Sequence, residues 1–513
     1  MLSRSRRHFL KQLATATGAL ALPGSTDLAG AWLQSPSVRV TGRVVAEGSG
    51  VEGVAVTDGL AVTQTAADGR FELAAAQRQP FLYLSVPSGY RIPQNDTGTA
   101  RFYRPLPSDR DAMETQFELS PLRGSDEQHG FVVLADPQTQ TEAEMQTFHD
   151  EIVPDVQQTV QSLGDQPLFG VGCGDLMYDD LALFPEYERA VQRMGVPFWQ
   201  VVGNHDLDFS ASTDPGSTAT FRQHFGPEYY SFDRGAVHYV VLDNVFWPGS
   251  DGFGSETDDY VGYLDAAQLA WLEQDLALVE DGRPVVVFMH IPALSDTFAR
   301  RGSDSPGTRG QVKNRQALYN LLDPFASHII AGHVHENLHR YNGADHEHVL
   351  GTACGAWWTG PVCYDGTPKG YAVYDVDGTD VTWRYQSAGH DANHQMHVYP
   401  RGADPSAPDE IVANVWDADP GWTVVWYENG MRKGEMAQRK GTDPLSEALH
   451  RGEERPEKRS WVDPLLTDHL FYAPVSDDAT EVTVEATDRF GRTYTSTINP
   501  SASMASLYPV AEG

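Results

Sequence analysis

Val196-Pro-Phe-Trp-Gln-Val-Val202, followed at once by Gly203-Asn204-His205-Asp206, decides how this 513-residue chain is read. A short apolar run rich in β-formers is a buried strand. A polar turn opening on glycine lifts the next side chains out at the carboxyl edge of the sheet, where ligands bind in open α/β sheets. Taken alone, the tetrapeptide reads equally well as an ordinary turn closed by Asx hydrogen bonds.

Working outward, the same pattern recurs. Asp136-Pro-Gln138 follows Phe131-Val-Val-Leu-Ala135, and Gly174-Asp175 follows Leu168-Phe-Gly-Val-Gly-Cys173. His290 follows Pro284-Val-Val-Val-Phe-Met289, and Gly332-His333-Val-His335 follows Ser327-His-Ile-Ile-Ala331. One buried histidine is a packing residue; five strand-end clusters of carboxylate, amide and imidazole in succession are not explained by packing. His and carboxylate ligands without cysteine suit Zn, Fe or Mn better than a thiolate site does. The i, i+2 spacing of His333 and His335 sets both on one side of an extended segment.

The order and spacing of these clusters resemble the calcineurin-like metallophosphoesterase superfamily over roughly residues 128 to 388. The resemblance implies an α/β catalytic domain, a β-sheet sandwich flanked by helices, with two divalent metal ions (Mn, Fe or Zn). Carried over, it implies that Asp136, Gln138, Asp175 and His335 hold the first metal and that Asp175 bridges. Asn204, His290 and His333 complete the second site. His205 is then the acid that protonates the leaving oxygen or stabilises the phosphoryl charge, and Asp206 orients its ring. Gln138 departs from the commonest pattern, which has His there. Gln occurs in branches that include hydrolases of nucleoside-diphosphate-linked compounds, so it bears on metal and substrate.

Such a metal pair, about 4 Å apart, generates hydroxide near neutral pH and clamps the oxygens of an in-line displacement. The expected function is an exported dinuclear phosphoesterase acting on phosphomonoesters or phosphodiesters, its partner a small phosphate ester or envelope component. The alternatives are a pyrophosphate-bond hydrolase of nucleoside-diphosphate-linked compounds and a catalytically inactive cell-surface binding protein.

At the amino end, Ser5-Arg6-Arg7-His8-Phe9-Leu10-Lys11, the mildly apolar stretch Leu13 to Leu22, and Ala29-Gly30-Ala31 form a twin-arginine signal pattern over residues 1 to 31. It predicts an exported periplasmic or extracellular protein without a transmembrane segment. Formal net charge is −34; without residues 1 to 31 it is −37, from 33 Lys+Arg against 70 Asp+Glu. Such a field repels polyanions and argues against nucleic acid as partner. A halophile surface and an ordinary acidic protein both fit it. Three cysteines give no disulfide framework, although Cys354 and Cys363 could pair across a loop.

Residues 36 to 122 alternate in the β manner between Asp-Gly turns and resemble a transthyretin-like sandwich. Residues 124 to 388 alternate strands with amphipathic helices expected over 141–163, 181–194 and 263–276. The polar stretch 386–397, with His390, His394 and His397, reads as a solvated linker. Residues 398 to 505 return to short strands and suggest a second sandwich, within which the charged run 450–459 reads as an exposed loop. Substrate specificity must come from loops. Arg300, Arg301 and Arg309 form a basic island after His290 that either contacts phosphate or is solvated. Trp357 and Trp358 either wall the site or pack in the core.

Overall fold

The computed structural model describes residues 37–249, 260–301, 309–453 and 455–504; the leader-like segment 1–31 lies outside them. Two sheets packed face to face make the middle of the molecule. The first runs, in spatial order, Phe198–Val201, Leu168–Cys173, Gln128–Leu134, Gly370–Asp377 and Asp380–Ser387. The second runs Tyr230–Arg234, Val237–Val241, Pro284–Phe288, Ala326–Ala331, Asp345–Val349 and Leu338–Asn342. The strands that carry the polar clusters are mutually parallel within each sheet, so their carboxyl ends share one edge. Between the sheets lie Phe131, Val133, Phe169, Val171, Tyr239, Phe288 and Ile330, all buried.

Helices cover the outer faces. Val153–Ser162 and Phe184–Met194 pack on the first sheet, and Ala266–Leu276 and Arg315–Leu322 on the second. The helix expected over 141–163 is interrupted: Glu142–Thr147 passes through a π-helical turn, Phe148–Ile152, before Val153–Ser162 begins. Pro154 explains the break. It has no N–H to donate and its ring crowds the preceding turn, which a π-helical turn accommodates. The other two helices start later than expected, at Phe184 after a 3₁₀ turn and at Ala266, where the Asp265 carboxylate caps the N–H groups of Ala267 and Gln268.

The amino-terminal sandwich has two four-stranded sheets. It seals an edge of each central sheet: Ala100 donates its N–H to Phe198 O at 2.8 Å, and Val86 bridges to Phe232. Phe102 meets Trp199 and Tyr230 across this seam. Covering edge strands in this way removes a template for aggregation. The carboxy-terminal sandwich pairs His397–Tyr399, Glu410–Asn414, Thr467–Pro474 and Ala437–Gly441 against a sheet of Met431–Glu435, Thr423–Glu428, Val482–Thr487 and Thr493–Ile498.

Two expectations change here. The histidine stretch is not a solvated linker throughout: His394 is half-buried, His397 is buried in a strand, and both rings pack on Trp416. Cys354 and Cys363 are separate buried thiols, the latter facing Thr352, so no disulfide joins them. Among the described residues no helix is long and apolar enough to cross a membrane.

Candidate metal and catalytic site

The strand ends converge. Ligand atoms of Asp175, His290 and His333 lie within 4.8 Å of one another. His290 Nε2 is 3.2 Å from Asp175 Oδ1, 3.1 Å from Asn204 Oδ1 and 3.2 Å from His333 Nδ1. On the other side of Asp175, Gln138 Nε2 donates to its Oδ2 at 2.7 Å, and His335 Nε2 is 3.5 Å from Asp136 Oδ1. All seven expected ligands thus form one continuous cluster with Asp175 at its middle, and His333 alone of them is more than marginally exposed.

Backbone geometry makes the convergence tight. Asp136, Gln138, Asp175, His333 and His335 all have φ between 42° and 73°, a region costly for side-chain-bearing residues and concentrated at functional sites. Glycines next to the ligands make room: a Cβ on Gly203 would stand 2.3 Å from Asp175 Oδ1, and one on Gly332 2.3 Å from Asp136 Oδ2. The Asp136 carboxylate also accepts the His333 backbone N–H at 2.9 Å.

The donor set fits divalent cations. Gln138 Oε1 is buried with no hydrogen-bond partner, an arrangement that is unfavourable unless something positive is accepted there. Burial would raise the Asp175 carboxyl, but His290 and His205 hold it well below the usual range. Burial and neighbouring His290 push His333 far down, leaving a neutral imidazole able to ligate.

His205 stands beside this cluster. Its backbone N–H donates to Asp175 Oδ1 at 2.8 Å, and its ring Nδ1 is 2.6 Å from Asp179 Oδ1. The ring stacks on Tyr178 at 4.2 Å between centroids. Burial would lower its pKa, yet Asp175 and Asp179 raise it. Asp206 does not orient this ring. Its carboxylate turns away to accept the N–H groups of Leu176, Met177 and Gly203 at 2.9–3.1 Å, tying the Asp175 turn to the Asn204 turn. Burial and the charge of Asp175 push it up to about 7. Asp179 takes the orienting role, and nothing in its sequence context marks it.

The expected substrate contacts divide. Trp357 stacks on His335 at 3.9 Å, and Trp358 Nε1 donates to Pro137 O at 2.9 Å, so both line the His335 side of the cluster. Arg300 is committed elsewhere: it pairs with buried Glu336 at 2.7 Å and Asp296 at 2.8 Å. Arg301 lies over Tyr364 at 4.3 Å. A guanidinium beside a buried carboxylate is held as its counter-ion, so the basic island does not aim Arg300 at phosphate. Residues 302–308 lie outside the described residues. A cation from the carboxy-terminal sandwich reaches the site instead. Arg459 bonds the Trp357 carbonyl, pairs with Glu144 at 3.0 Å and lies over Tyr178 at 5.1 Å. The charged run is therefore not wholly exposed; the Arg459 side chain is 6% accessible.

Family models for the calcineurin-like phosphoesterase match three parts of the chain: its N-terminal region at residues 38–122, the phosphoesterase itself at 130–337 and its C-terminal region at 347–494. The human serine/threonine-protein phosphatase CPPED1 is 25% identical over 243 residues, covering 45% of this chain and 71% of that protein. A 3',5'-cyclic-nucleotide phosphodiesterase of Nostoc sp. is 28% identical over 124 residues, 24% of this chain and 40% of that protein. Among solved structures, the chain is similar to purple acid phosphatase PPD1 from yellow lupin seeds, at 12% identity and TM-score 0.36 over 66% of this chain and 67% of that one. It is also similar to GAP50, the anchor in the inner membrane complex of Plasmodium, at 14% identity and TM-score 0.35 over 51% of this chain and 84% of that one.

Proposed function

Because this chain belongs to the calcineurin-like phosphoesterase family and is a hydrolase of ester bonds, we propose that it cleaves small phosphomonoesters or phosphodiesters at a centre for two divalent ions. The convergence of seven donor side chains, Asp175 at their middle, carries the proposal. Asp136, Gln138, Asp175 and His335 would hold one ion; Asp175, Asn204, His290 and His333 would hold the other. Bound there, the ions neutralise phosphoryl charge and supply a nucleophile from water near neutral pH.

The chain's own residues do the rest. With Nδ1 held by Asp179, His205 keeps Nε2 for the substrate and delivers its proton to the leaving oxygen. Tyr178 fixes the plane of that ring, and Trp357 and Trp358 keep water from the His335 side. The strongly acidic chain favours small substrates over polyanions. The twin-arginine pattern supports export of a folded protein. The names of the two similar proteins, a protein phosphatase and a cyclic-nucleotide phosphodiesterase, both describe ester cleavage and favour esters over pyrophosphates.

The test is hydrolysis by metal-reconstituted protein of p-nitrophenyl phosphate, bis-p-nitrophenyl phosphate and ADP-ribose. Turnover of either ester is the expected result. Cleavage of ADP-ribose alone would move the assignment to pyrophosphate bonds. No turnover with two metals bound would make the domain a binding module.

A further inference from the structure

A second histidine cluster lies away from the strand ends, between the two central sheets at the edge that the carboxy-terminal sandwich covers. Three neighbouring strands supply it. His328 is paired in register with His346, and His348 with His339. Since alternate residues of a strand share a face, His346 and His348 both turn toward the His328 side, where Trp383 and Tyr374 close the cluster. Ligand atoms of His328, His346 and His348 all lie within 4.8 Å of one another. His328 Nδ1 is 3.2 Å from His348 Nε2, and His346 Nε2 is 3.1 Å from His339 Nδ1.

We infer that His328, His346 and His348 form a further metal site, separate from the phosphoesterase centre, that takes a zinc-like transition-metal ion, with His339 next in reach for the fourth position. Four features support it. Ligand nitrogens around tetrahedral zinc, each about 2.0–2.1 Å from the metal, stand about 3.4 Å apart, close to the His328–His348 and His346–His339 separations, and the ligand atoms of the triad lie within 4.8 Å of one another. Two rings are oriented from behind, as metal-bound histidines are: His348 Nδ1 is 3.2 Å from Tyr374 OH, and His339 Nε2 is 3.1 Å from Asp417 Oδ1. The imidazoles are kept neutral: burial pushes His328 down to about 4, and burial with neighbouring rings pushes His346 and His348 further. A cleft of about 370 Å³ between the two domains, lined by His339, Tyr341 and Asp419, brings solvent to the His339 edge of the cluster.

The charge balance also suits a cation. Arg489 is the guanidinium facing the cluster, and it is paired with Asp419 at 2.7 Å, leaving Asp417 in excess. Because Asp417 comes from the carboxy-terminal sandwich and holds His339 Nε2 at 3.1 Å, an ion that recruits His339 would be tied to that sandwich through this hydrogen bond. The bland alternative is a chain of imidazole hydrogen bonds that binds nothing.

The experiment separates the two centres. Full-length protein carrying Asp175→Asn and His290→Ala, stripped by chelation, is equilibrated with micromolar free Zn²⁺, and metal per chain and unfolding temperature are measured. One zinc per chain and a higher unfolding temperature with zinc are expected, both lost when His346→Ala is added. A folded double variant that binds no zinc overturns the inference, as does zinc retained after both His346→Ala and His348→Gln. Should the double variant not fold, anomalous diffraction from zinc-soaked wild-type crystals decides: a peak among the three imidazoles supports the site, and no peak there rejects it. Neither readout depends on phosphoesterase activity, so failure here leaves the proposed reaction untouched.

Discussion

Replacing Asp179 with Asn tests the least expected part of the catalytic arrangement. The Asp179 carboxylate is 2.6 Å from His205 Nδ1, and it is one of the groups that raise the imidazole pKa above its ordinary value. Asn keeps an oxygen in that place and removes the charge. Hydrogen bonds to charged groups contribute about 1.5–3 kcal/mol. The two side chains are 16% and 28% accessible, so solvent weakens the pair and the lower half of that range applies. At about 1.4 kcal/mol per tenfold in rate, kcat should fall about tenfold to fortyfold. The fall should be largest for an alkyl phosphate, whose leaving oxygen needs the proton, and small for p-nitrophenyl phosphate, whose leaving group is stable as the anion. The direction with pH follows. The acid must be protonated, so activity declines as pH rises through the His205 pKa; lowering that pKa moves the decline to lower pH. Asp206→Asn should leave this limb in place and lower stability instead, because its carboxylate serves backbone N–H groups. Unchanged kcat and pH limb for the alkyl ester in Asp179→Asn, with metal content intact, would refute the assignment of Asp179. A shifted limb in Asp206→Asn would return the role to Asp206.

Four further outcomes are expected. Gly332→Ala puts a methyl 2.3 Å from the short, fully buried Asp136 carboxylate; overpacking of this kind costs about 1–3 kcal/mol, so the variant should unfold at lower denaturant and lose metal, and wild-type metal content would contradict the crowding. Gln138 supplies a neutral amide where imidazole would bind more tightly, so its metal should dialyse away first and Mn²⁺ should restore it, with Gln138→His reducing the response in metal stoichiometry; two equally tight metals in the wild type would count against this. His238, buried between Asp275 and Asp233, is lifted to about 9: burial would lower it, and the two carboxylates more than offset that. Its contribution, on the order of 3 kcal/mol, is therefore full below the ordinary histidine pKa of about 6.5 and lost as pH rises through about 9; Asp275→Asn should flatten that decline in urea midpoint, and an equal decline in both proteins would reject the triad as its source. With a formal charge of −34, the chain should melt higher in molar salt than in dilute buffer, and an unchanged melting temperature would remove self-repulsion as a factor.

The strands and most proposed ligands were legible because each ligand terminates a β-rich run, a one-dimensional signal. What escaped was anything defined by distance across the fold. Asp179 reaches His205 from a loop 26 residues earlier, and Arg459 meets Gln140 across 319 residues. Neither carries a periodicity or a flanking turn that marks it. The family resemblance assigns Asp206 to the ring of its neighbour His205. Neighbours in a tight turn point apart, and Asp206 points into the backbone of the Asp175 loop. Arg300 drew attention as a cation in an acidic chain, whereas the deciding neighbour, buried Glu336, lies 36 positions away in sequence. The histidines at 394 and 397 read as solvated because their flanks are polar; Trp416, from the next domain, buries them.

The choice posed by Gly203-Asn204-His205-Asp206, an ordinary turn or a functional edge, is not a choice between two sets of residues. Beyond glycine, a left-handed backbone is tolerated best by Asn, Asp and His, whose side chains can bond locally. Those are also the side chains that bring oxygen and imidazole donors to hard and borderline cations. Asp136, Asp175, His333 and His335 meet both requirements at once, each turning the chain sharply as its strand ends while aiming a donor inward. Gln138 meets only one. It takes φ of 42° with a longer side chain outside the favoured set, and its Oε1 is buried without a hydrogen-bond partner. Backbone strain and an unpaired acceptor at the same residue are both unfavourable in the bare chain, and a bound cation would offset the second directly. If the proposed centre binds metal, Gln138 is the donor at which binding and local folding should be coupled most.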